Sequence, residues 1–272
     1  MTGLPAARVD SSPLGMRIAL QSRVRVISRC VIPRNLFPWT HESNQMVSRP
    51  RALPCNVAGF MRWQTLWEGR WILVVLIAAM AATWLVAPWL AAVPFGLLLF
   101  TLYFFRDPAR KIPDGPGLVV SPADGRVTDI TEIEETEWVN RRMRRIGIFL
   151  SVFDVHVNRA PADCRVVYTA EYAGTYLDAR SPLASTHNTA RTWGLECRPG
   201  LILVVRQITG AIARRIVPWA ELDERLARGQ HFGMIRFGSR TEICLPLDAE
   251  VVVQVGQHVK GGSTVIARLA EP

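Results

Sequence analysis

Lysine is almost missing from this chain. Of 32 basic residues only Lys111 and Lys260 are lysine, and the other 30 are arginine. An enzyme that carries pyridoxal phosphate needs a lysine to hold it. Neither lysine stands in a segment suited to that, so no pyridoxal phosphate is expected. The five cysteines, at positions 30, 55, 164, 197 and 244, form no CxxC pair. A zinc site of that kind and a disulfide framework are both unsupported, and no metal is expected. Reduced thiols in a cytosol-facing domain fit this usage. Residues 1–60 lack the long apolar core of a secretory signal. They hold eight arginines against Asp10 and Glu42, so most of the net charge of +9 lies there. The remainder is only mildly basic, and no nucleic-acid partner is expected for it.

Charge is also absent from a long internal stretch, Trp71 to Phe105. This run, interrupted by Pro88 and Pro94, is too long for one untilted crossing. Two arms of about 16 residues would each reach about 24 Å as helix, against a hydrocarbon core of about 30 Å. The segment 61–106 is therefore predicted to be a membrane anchor, either a pair of short transmembrane helices or a re-entrant hairpin. A buried hairpin of a soluble protein is the plainer alternative. Arg62 and Arg70 precede the run, and Arg106, Arg110 and Lys111 follow it. Basic flanks on both sides place both ends in the cytoplasm. Trp71, Trp84, Trp89 and Tyr103 suit interfacial anchoring. Residues 1–60 show no sustained period and read as a disordered extension, or as sequence upstream of a start at Met61.

Beyond Pro108 the pattern changes to short strands and turns. Gly117–Val120, Arg126–Ile130 and Arg145–Leu150 read as strands, with Asp124-Gly125 as a turn. In Ser151–Pro161 a period of two puts Asp154, His156 and Asn158 on one face. Residues 176–192 form a polar loop of the length that is often functional. Strands resume over 201–213, Trp219–Arg228 reads as a short amphipathic helix, and the tail from Val251 reads as strand, glycine turn, strand. Within His231–Arg240 a Gly-Ser pair, Gly238-Ser239, sits in an apolar, strand-like setting. The ordinary reading of Gly-Ser is a turn. A buried one permits more, because glycine reaches backbone angles closed to other residues. The serine hydroxyl can then attack the preceding carbonyl. The resulting ester can eliminate, and the dehydroalanine that remains hydrolyses to a pyruvoyl group.

Five stretches occur together and in order: Phe104-Phe-Arg-Asp-Pro108, Ser121-Pro-Ala-Asp-Gly125, Phe153-Asp-Val-His-Val-Asn-Arg-Ala-Pro161, Gly210-Ala-Ile-Ala-Arg-Arg215 and Phe232-Gly-Met-Ile-Arg-Phe-Gly-Ser239. Over about residues 61–272 the chain resembles the phosphatidylserine decarboxylases, in their shorter, archaeal-type branch. The resemblance implies a proenzyme that cuts itself between Gly238 and Ser239. Its fragments, 1–238 and 239–272, would stay associated. Ser239 would become the pyruvoyl cofactor, and the substrate amine would join it as a Schiff base. Phosphatidylserine would leave as phosphatidylethanolamine and CO2. By the same resemblance Asp124 and His156 line the active site. His156 is expected to move the proton and Asp124 to orient a histidine.

Two departures from the pattern stand out. Arg159 occupies the place where the longer bacterial branch carries a second histidine. Thr186-His-Asn-Thr-Ala-Arg191 replaces an acidic Glu-Asn-Glu-Arg run. Asn158, Arg159, His187, Asn188 and Arg191 are the candidate substrate-binding residues. The expected fold is a mostly β (α+β) catalytic domain over 107–272, with a lipoyl or barrel-sandwich-like strand arrangement, behind the helical hairpin. The expected setting is the inner cell membrane with the catalytic domain in the cytoplasm. Arg106, Arg110, Arg141, Arg142, Arg144 and Arg145 either meet anionic lipid, at about 1 kcal/mol each, or form a solvated basic face. A homodimer is left open. Two other classes are weighed against this one. A membrane-tethered biotinyl or lipoyl-like carrier would use Lys260, and a serine hydrolase would use Ser239 and His156, although Gly-x-Ser-x-Gly is absent.

Overall fold

The computed structural model describes residues 63–212, 214–236 and 238–270. The extension over 1–60, expected to be disordered or untranslated, lies outside them. The apolar run folds as the helix Trp63–Val86, a 3-10 turn Pro88–Ala91 and a second helix Ala92–Phe104, with the two helices packed together. The expectation of two equal arms is corrected. The first helix starts well before Trp71, takes in Glu68 and Arg70, and has 24 residues. At 1.5 Å per residue it measures about 36 Å, and the second about 20 Å. Only the first is long and apolar enough to cross a bilayer.

The two prolines act differently. Ala87, just before Pro88, is extended at φ −156° and ψ 110°, as the residue before a proline prefers, and the helix stops there. Pro94 lies in the first turn of the second helix, where no hydrogen bond is lost. Trp71, Trp84 and Trp89 are exposed. Only 6% of the first helix's apolar window is buried, which does not fit the core helix of a soluble protein.

The hairpin is joined to the rest of the molecule at its foot. Phe104 and Phe105 are fully buried against Val217 and Met234, flanked by Leu66, Ile72 and Trp219. The Phe104 ring lies 4.3 Å from that of His156, so the anchor touches the candidate catalytic histidine directly. Truncating such a ring leaves a cavity costing about 3–5 kcal/mol. Phe104→Ala is expected to unfold at a lower denaturant midpoint in detergent than the parent. An unchanged midpoint would mean that the hairpin is not packed on the domain.

Beyond the hairpin the described chain is mostly β, as expected. Its largest sheet has eight strands, in the spatial order His258–Val259, Gly125–Glu135, Arg141–Leu150, Ser239–Leu245, Leu201–Ile208, Ala190–Arg198, Cys164–Tyr172 and Arg225–Leu226. Alternate residues of these strands (Ile146, Ile148, Leu150, Leu203, Val205, Ile243, Leu245) join Trp193 and Phe232 in one core, as period-two patterning requires. A three-stranded sheet pairs Leu118–Val120 with Val265–Arg268, and the latter with Glu250–Val251. Another places His231–Ile235 between Val157–Arg159 and Ile216–Pro218. The chain therefore leaves this small sheet at Ile235 and enters the middle of the large one at Ser239, and Gly238-Ser239 lies at the crossing. Strands from 239–270 pair with Arg141–Leu150, Leu201–Ile208, Gly125–Glu135 and Leu118–Val120, so the two sides of that bond are interwoven.

Three local expectations are corrected. Trp219–Arg228 is not a helix. Asp223 is left-handed at φ 67°, its N–H donates to Val166 O at 2.7 Å, and Arg225–Leu226 pairs with Cys164–Arg165. Leu226 is buried there. An amphipathic helix this short has little stability of its own, and the sheet edge captures the segment. Ser151–Pro161 is not one strand, since a turn closed by Asp154 N–H to Ser151 O at 3.0 Å precedes a strand of only Val157–Arg159. The tail has three short strands and not two.

Candidate active site

Gly238 has φ +56°, the left-handed region that glycine enters without steric cost. A Cβ at Gly210 would lie 2.3 Å from the Gly238 carbonyl oxygen. Gly210 thus lets backbone approach the carbonyl that a nucleophile would attack. Ser239 opens its strand opposite Leu150 and is fully buried. Among the described residues its Oγ has no hydrogen-bond partner. An unpaired buried hydroxyl is costly, at about 1–3 kcal/mol, and in a native site calls for an explanation.

The histidine arrives through sheet pairing. Val157 is in register with Met234, and Ile235 N–H donates to His156 O at 3.2 Å. This sets His156 beside Gly238, whose N–H donates to Nε2 at 3.1 Å. The other ring nitrogen, Nδ1, is 2.9 Å from Asp154 O. A carbonyl can only accept, so Nδ1 carries the proton and Nε2 offers a lone pair to the Gly-Ser region. Burial lowers the His156 pKa to about 4, partly opposed by the Asp154 carbonyl. The ring is neutral at physiological pH, as a base must be.

The depressed value has a sign for stability. Unfolded, the ring takes a proton near 6.5, and folded only near 4. Stability is therefore full above 6.5 and falls as pH drops towards 4, by up to about 3 kcal/mol from this group. In urea titrations of Ser239→Ala chains, replacing His156 by phenylalanine is expected to flatten the loss between pH 7 and 4.5. An identical pH slope would mean that His156 is not buried neutral.

Asp124 does not touch His156. Its carboxylate accepts from Arg110 at 2.5 Å and from the Gly261 N–H at 2.7 Å. Burial pushes its pKa up against the pull of Arg110. Arg110, expected to face lipid, is thereby drawn inside with a 10% exposed side chain. The expected face of Asp154, His156 and Asn158 does not act as a unit either. The Asp154 carboxylate accepts from the Ser151 N–H and hydroxyl, and its other oxygen meets His258 Nε2 at 2.9 Å. Burial opposes these contacts, but together they hold the Asp154 carboxyl below its ordinary pKa. Asn158 is fully buried, donating to Thr241 Oγ1 and Pro122 O and accepting from Gln207 Nε2.

The remaining candidates scatter. Arg159 is buried in an ion pair with Asp107 at 2.6 Å. Asn188 pins the polar loop to Leu177 and to Thr209 O. Arg191 pairs with Glu171 at 2.6 Å. His187 is exposed, with Nδ1 near Thr186 Oγ1 and Leu183 O. Of the other arginines expected to meet lipid, Arg145 pairs with Asp129, and Arg142 and Arg144 with Glu132. Sequence reasoning missed Arg110, His258 and Gln207 as partners of site residues. Each contact spans from 14 to more than 100 positions, and no local pattern marks it.

A buried serine with no partner among the described residues, a left-handed glycine before it and a neutral histidine beside them form an arrangement suited to self-processing of that peptide bond. Comparison with known proteins points the same way. The family profile described as phosphatidylserine decarboxylase matches residues 97–267. The chain is 46% identical over 202 residues to the phosphatidylserine decarboxylase proenzyme of Symbiobacterium thermophilum, covering 74% of this chain and 94% of that protein. Against the proenzyme of the same name from Carboxydothermus hydrogenoformans it is 45% identical over 203 residues, covering 74% and 95%. Against that of Rhodopirellula baltica it is 45% identical over 201 residues, covering 72% and 82%. The chain belongs to the phosphatidylserine decarboxylase family.

Proposed function

We propose that this protein cuts itself at Gly238-Ser239 and then decarboxylates phosphatidylserine to phosphatidylethanolamine at a membrane surface. The observation that carries the reading is the unpartnered Ser239 Oγ beside the left-handed Gly238, with the His156 lone pair on the Gly238 N–H. In the first step Ser239 Oγ bonds to the Gly238 carbonyl carbon, and the C–N bond breaks. The hydroxyl proton passes to the freed Ser239 nitrogen. In the second, the Ser239 Cα–H proton is removed and the Cβ–Oγ bond breaks. Gly238 leaves as a carboxylate and residue 239 becomes dehydroalanine. Water then enters, ammonia departs, and a pyruvoyl group is left.

The site suits the making of that group, because Ser239 is held in a paired strand with its Oγ unpartnered among the described residues. A pyruvoyl carbonyl supplies an electrophile for the substrate amine and a sink for the electrons that CO2 leaves behind. His156 is assigned the proton: Nε2 would take one from the substrate's ammonium group and deliver it to the carbon that CO2 leaves. Asp124 is assigned to holding Arg110 and the Gly261 turn against the site, and not to orienting His156. Of the expected substrate-binding residues, His187 is the one whose exposure suits contact with a headgroup. Asn158, Arg159, Asn188 and Arg191 are assigned to holding the walls.

The finer assignments belong to the same reading. Arg159 in place of a second histidine, already engaged by Asp107, supports the short, archaeal-type branch. The apolar first helix, with basic residues flanking the anchor at both ends, supports an inner-membrane hairpin with the catalytic domain in the cytoplasm. The free face of Arg142 supports contact with anionic lipid. Pairing of the tail with Leu118–Val120 and Gly125–Glu135 supports the barrel-sandwich arrangement. A homodimer is compatible with all of this. The carrier and hydrolase alternatives give way, since relatives alike over most of their length are decarboxylase proenzymes. The test is intact mass together with turnover. Two fragments parting at 238/239, and CO2 released from phosphatidylserine in step with phosphatidylethanolamine, are expected. One intact chain in active membranes would overturn the reading.

A further inference from the structure

Between the first hairpin helix and the catalytic domain lies a cavity of about 290 Å³. Trp67, Glu68, Arg70 and Trp71 line it from the helix, and Arg215 and Arg236 from the domain. Three guanidinium groups face one carboxylate. Glu68 is taken by Arg236, yet Arg236 Nε is buried with no hydrogen-bond partner. Arg70 donates to Trp67 O at 2.8 Å and lies over the Trp67 ring at 4.4 Å. Among the described residues, no carboxylate pairs with Arg70 or Arg215. The cavity thus keeps an excess of positive charge and unused donors.

Its position along the chain gives its depth. Glu68 and Arg70 are the last charges before the uncharged run that begins at Trp71. Trp67 and Trp71 are of the type that settles at the membrane–water interface. That is the level of lipid phosphates. Arg236 also precedes Ser239 by only three residues, so their Cα atoms are at most about 11 Å apart. An arginine side chain and a short headgroup together cover such a gap. A phosphodiester offers one negative charge and two free oxygens, which guanidinium groups meet in a fork. A second cavity, about 620 Å³ and lined by Met80, Trp84, Pro88 and Phe95 at the hairpin turn, offers no charge.

We propose that Arg70, Arg215 and Arg236 form a phosphodiester site that holds the lipid's phosphate while its headgroup reaches residue 239. The proposal rests on the decarboxylase reading and adds where the substrate is gripped. It is tested by kinetics on phosphatidylserine in neutral-detergent micelles. Arg215→Gln and Arg236→Gln are compared with Arg225→Gln, which removes the same charge from the far edge strand. The first two are expected to raise KM about tenfold, as loss of a charge-assisted hydrogen bond does, with kcat changed much less. Arg225→Gln should leave KM alone. If Arg236→Gln fails to mature, Arg236→Lys takes its place, with an intermediate KM expected.

Glycerophosphoserine, a soluble phosphodiester, should inhibit the parent and inhibit Arg215→Gln far less. Inorganic phosphate inhibiting the parent equally well would overturn the headgroup assignment in favour of a free-anion site. A parent that cuts itself but leaves phosphatidylserine unchanged would sink the decarboxylase reading. A parent that turns over, with both glutamine variants keeping its KM, would sink the site alone.

Discussion

Ser239→Ala is expected to give one uncut chain, no carbonyl-reactive small fragment and no measurable decarboxylation. Without Oγ there is no nucleophile for the Gly238 carbonyl, and without the cut no electrophile forms. The same substitution is expected to stabilise the fold. In the parent precursor the hydroxyl is fully buried and unpaired, a burden of about 1–3 kcal/mol that alanine removes. Removing it breaks no hydrogen bond among the described residues. Loss of function with gain of stability is the pattern of a group kept for its chemistry. Intact mass and a urea titration against freshly made, uncut parent would check both halves. A variant that still cuts, or that melts earlier than the parent, would contradict the account of Ser239.

His156→Phe carries the second largest effect. Phenylalanine keeps a ring against Phe104, 4.3 Å away in the parent, so the foot of the hairpin should stay packed. What disappears is the lone pair at Nε2, and with it the acceptor of the Gly238 N–H. General acid–base catalysis contributes about 10²–10⁴ in rate. Fragment appearance should slow by at least the lower figure, and the fraction that does mature should turn over more slowly by a similar factor. The pH profile adds a reading that a packing role could not move. Parental self-cleavage should rise as pH passes upwards through about 4, where His156 loses its proton, and be level at neutral pH. The variant's residual rate should lack that step. A His156→Phe protein that matures and turns over at the parent's rate would remove His156 from the chemistry.

Much of this was readable before any coordinates. The apolar run and most of the period-two strands are local patterns that led to the right kind of element, and the Gly-Ser stretch with its neighbouring motifs led to the right family. What failed was decided by partners distant in sequence. Trp219–Arg228 has helical periodicity, but the edge of Cys164–Tyr172 takes Arg225–Leu226 as a strand. The alternation in Asp154, His156 and Asn158 is real as spelling. The turn at Ser151–Asp154 breaks it in space and sends the three side chains to three different partners. Asp124 was expected beside a histidine, and the unforeseen neighbour is Arg110, pulled in from the stretch after the hairpin. Hairpin arm lengths were misjudged because charge was taken to end a helix, whereas Glu68 finds Arg236 across the junction and the helix continues through it.

The crossing of the chain between two sheets at Gly238-Ser239 bears on how the enzyme can be lost. Before the cut, the strand Ser239–Leu245 meets its neighbours as part of one molecule. It is then present to them at the millimolar effective concentrations that a short tether gives. After the proposed cut the same strand would belong to a separate peptide, still wedged between Arg141–Leu150 and Leu201–Ile208. Nothing in the folded state changes much, since each sheet keeps its own pairings. The denatured state changes entirely: two pieces must now meet by diffusion, and the missing piece is a central strand. Maturation thus turns a protein that can refold into one whose persistence is a matter of unfolding rate, not of equilibrium. If the proposed cut is made, the lifetime of the mature protein is set by how slowly that central strand lets go.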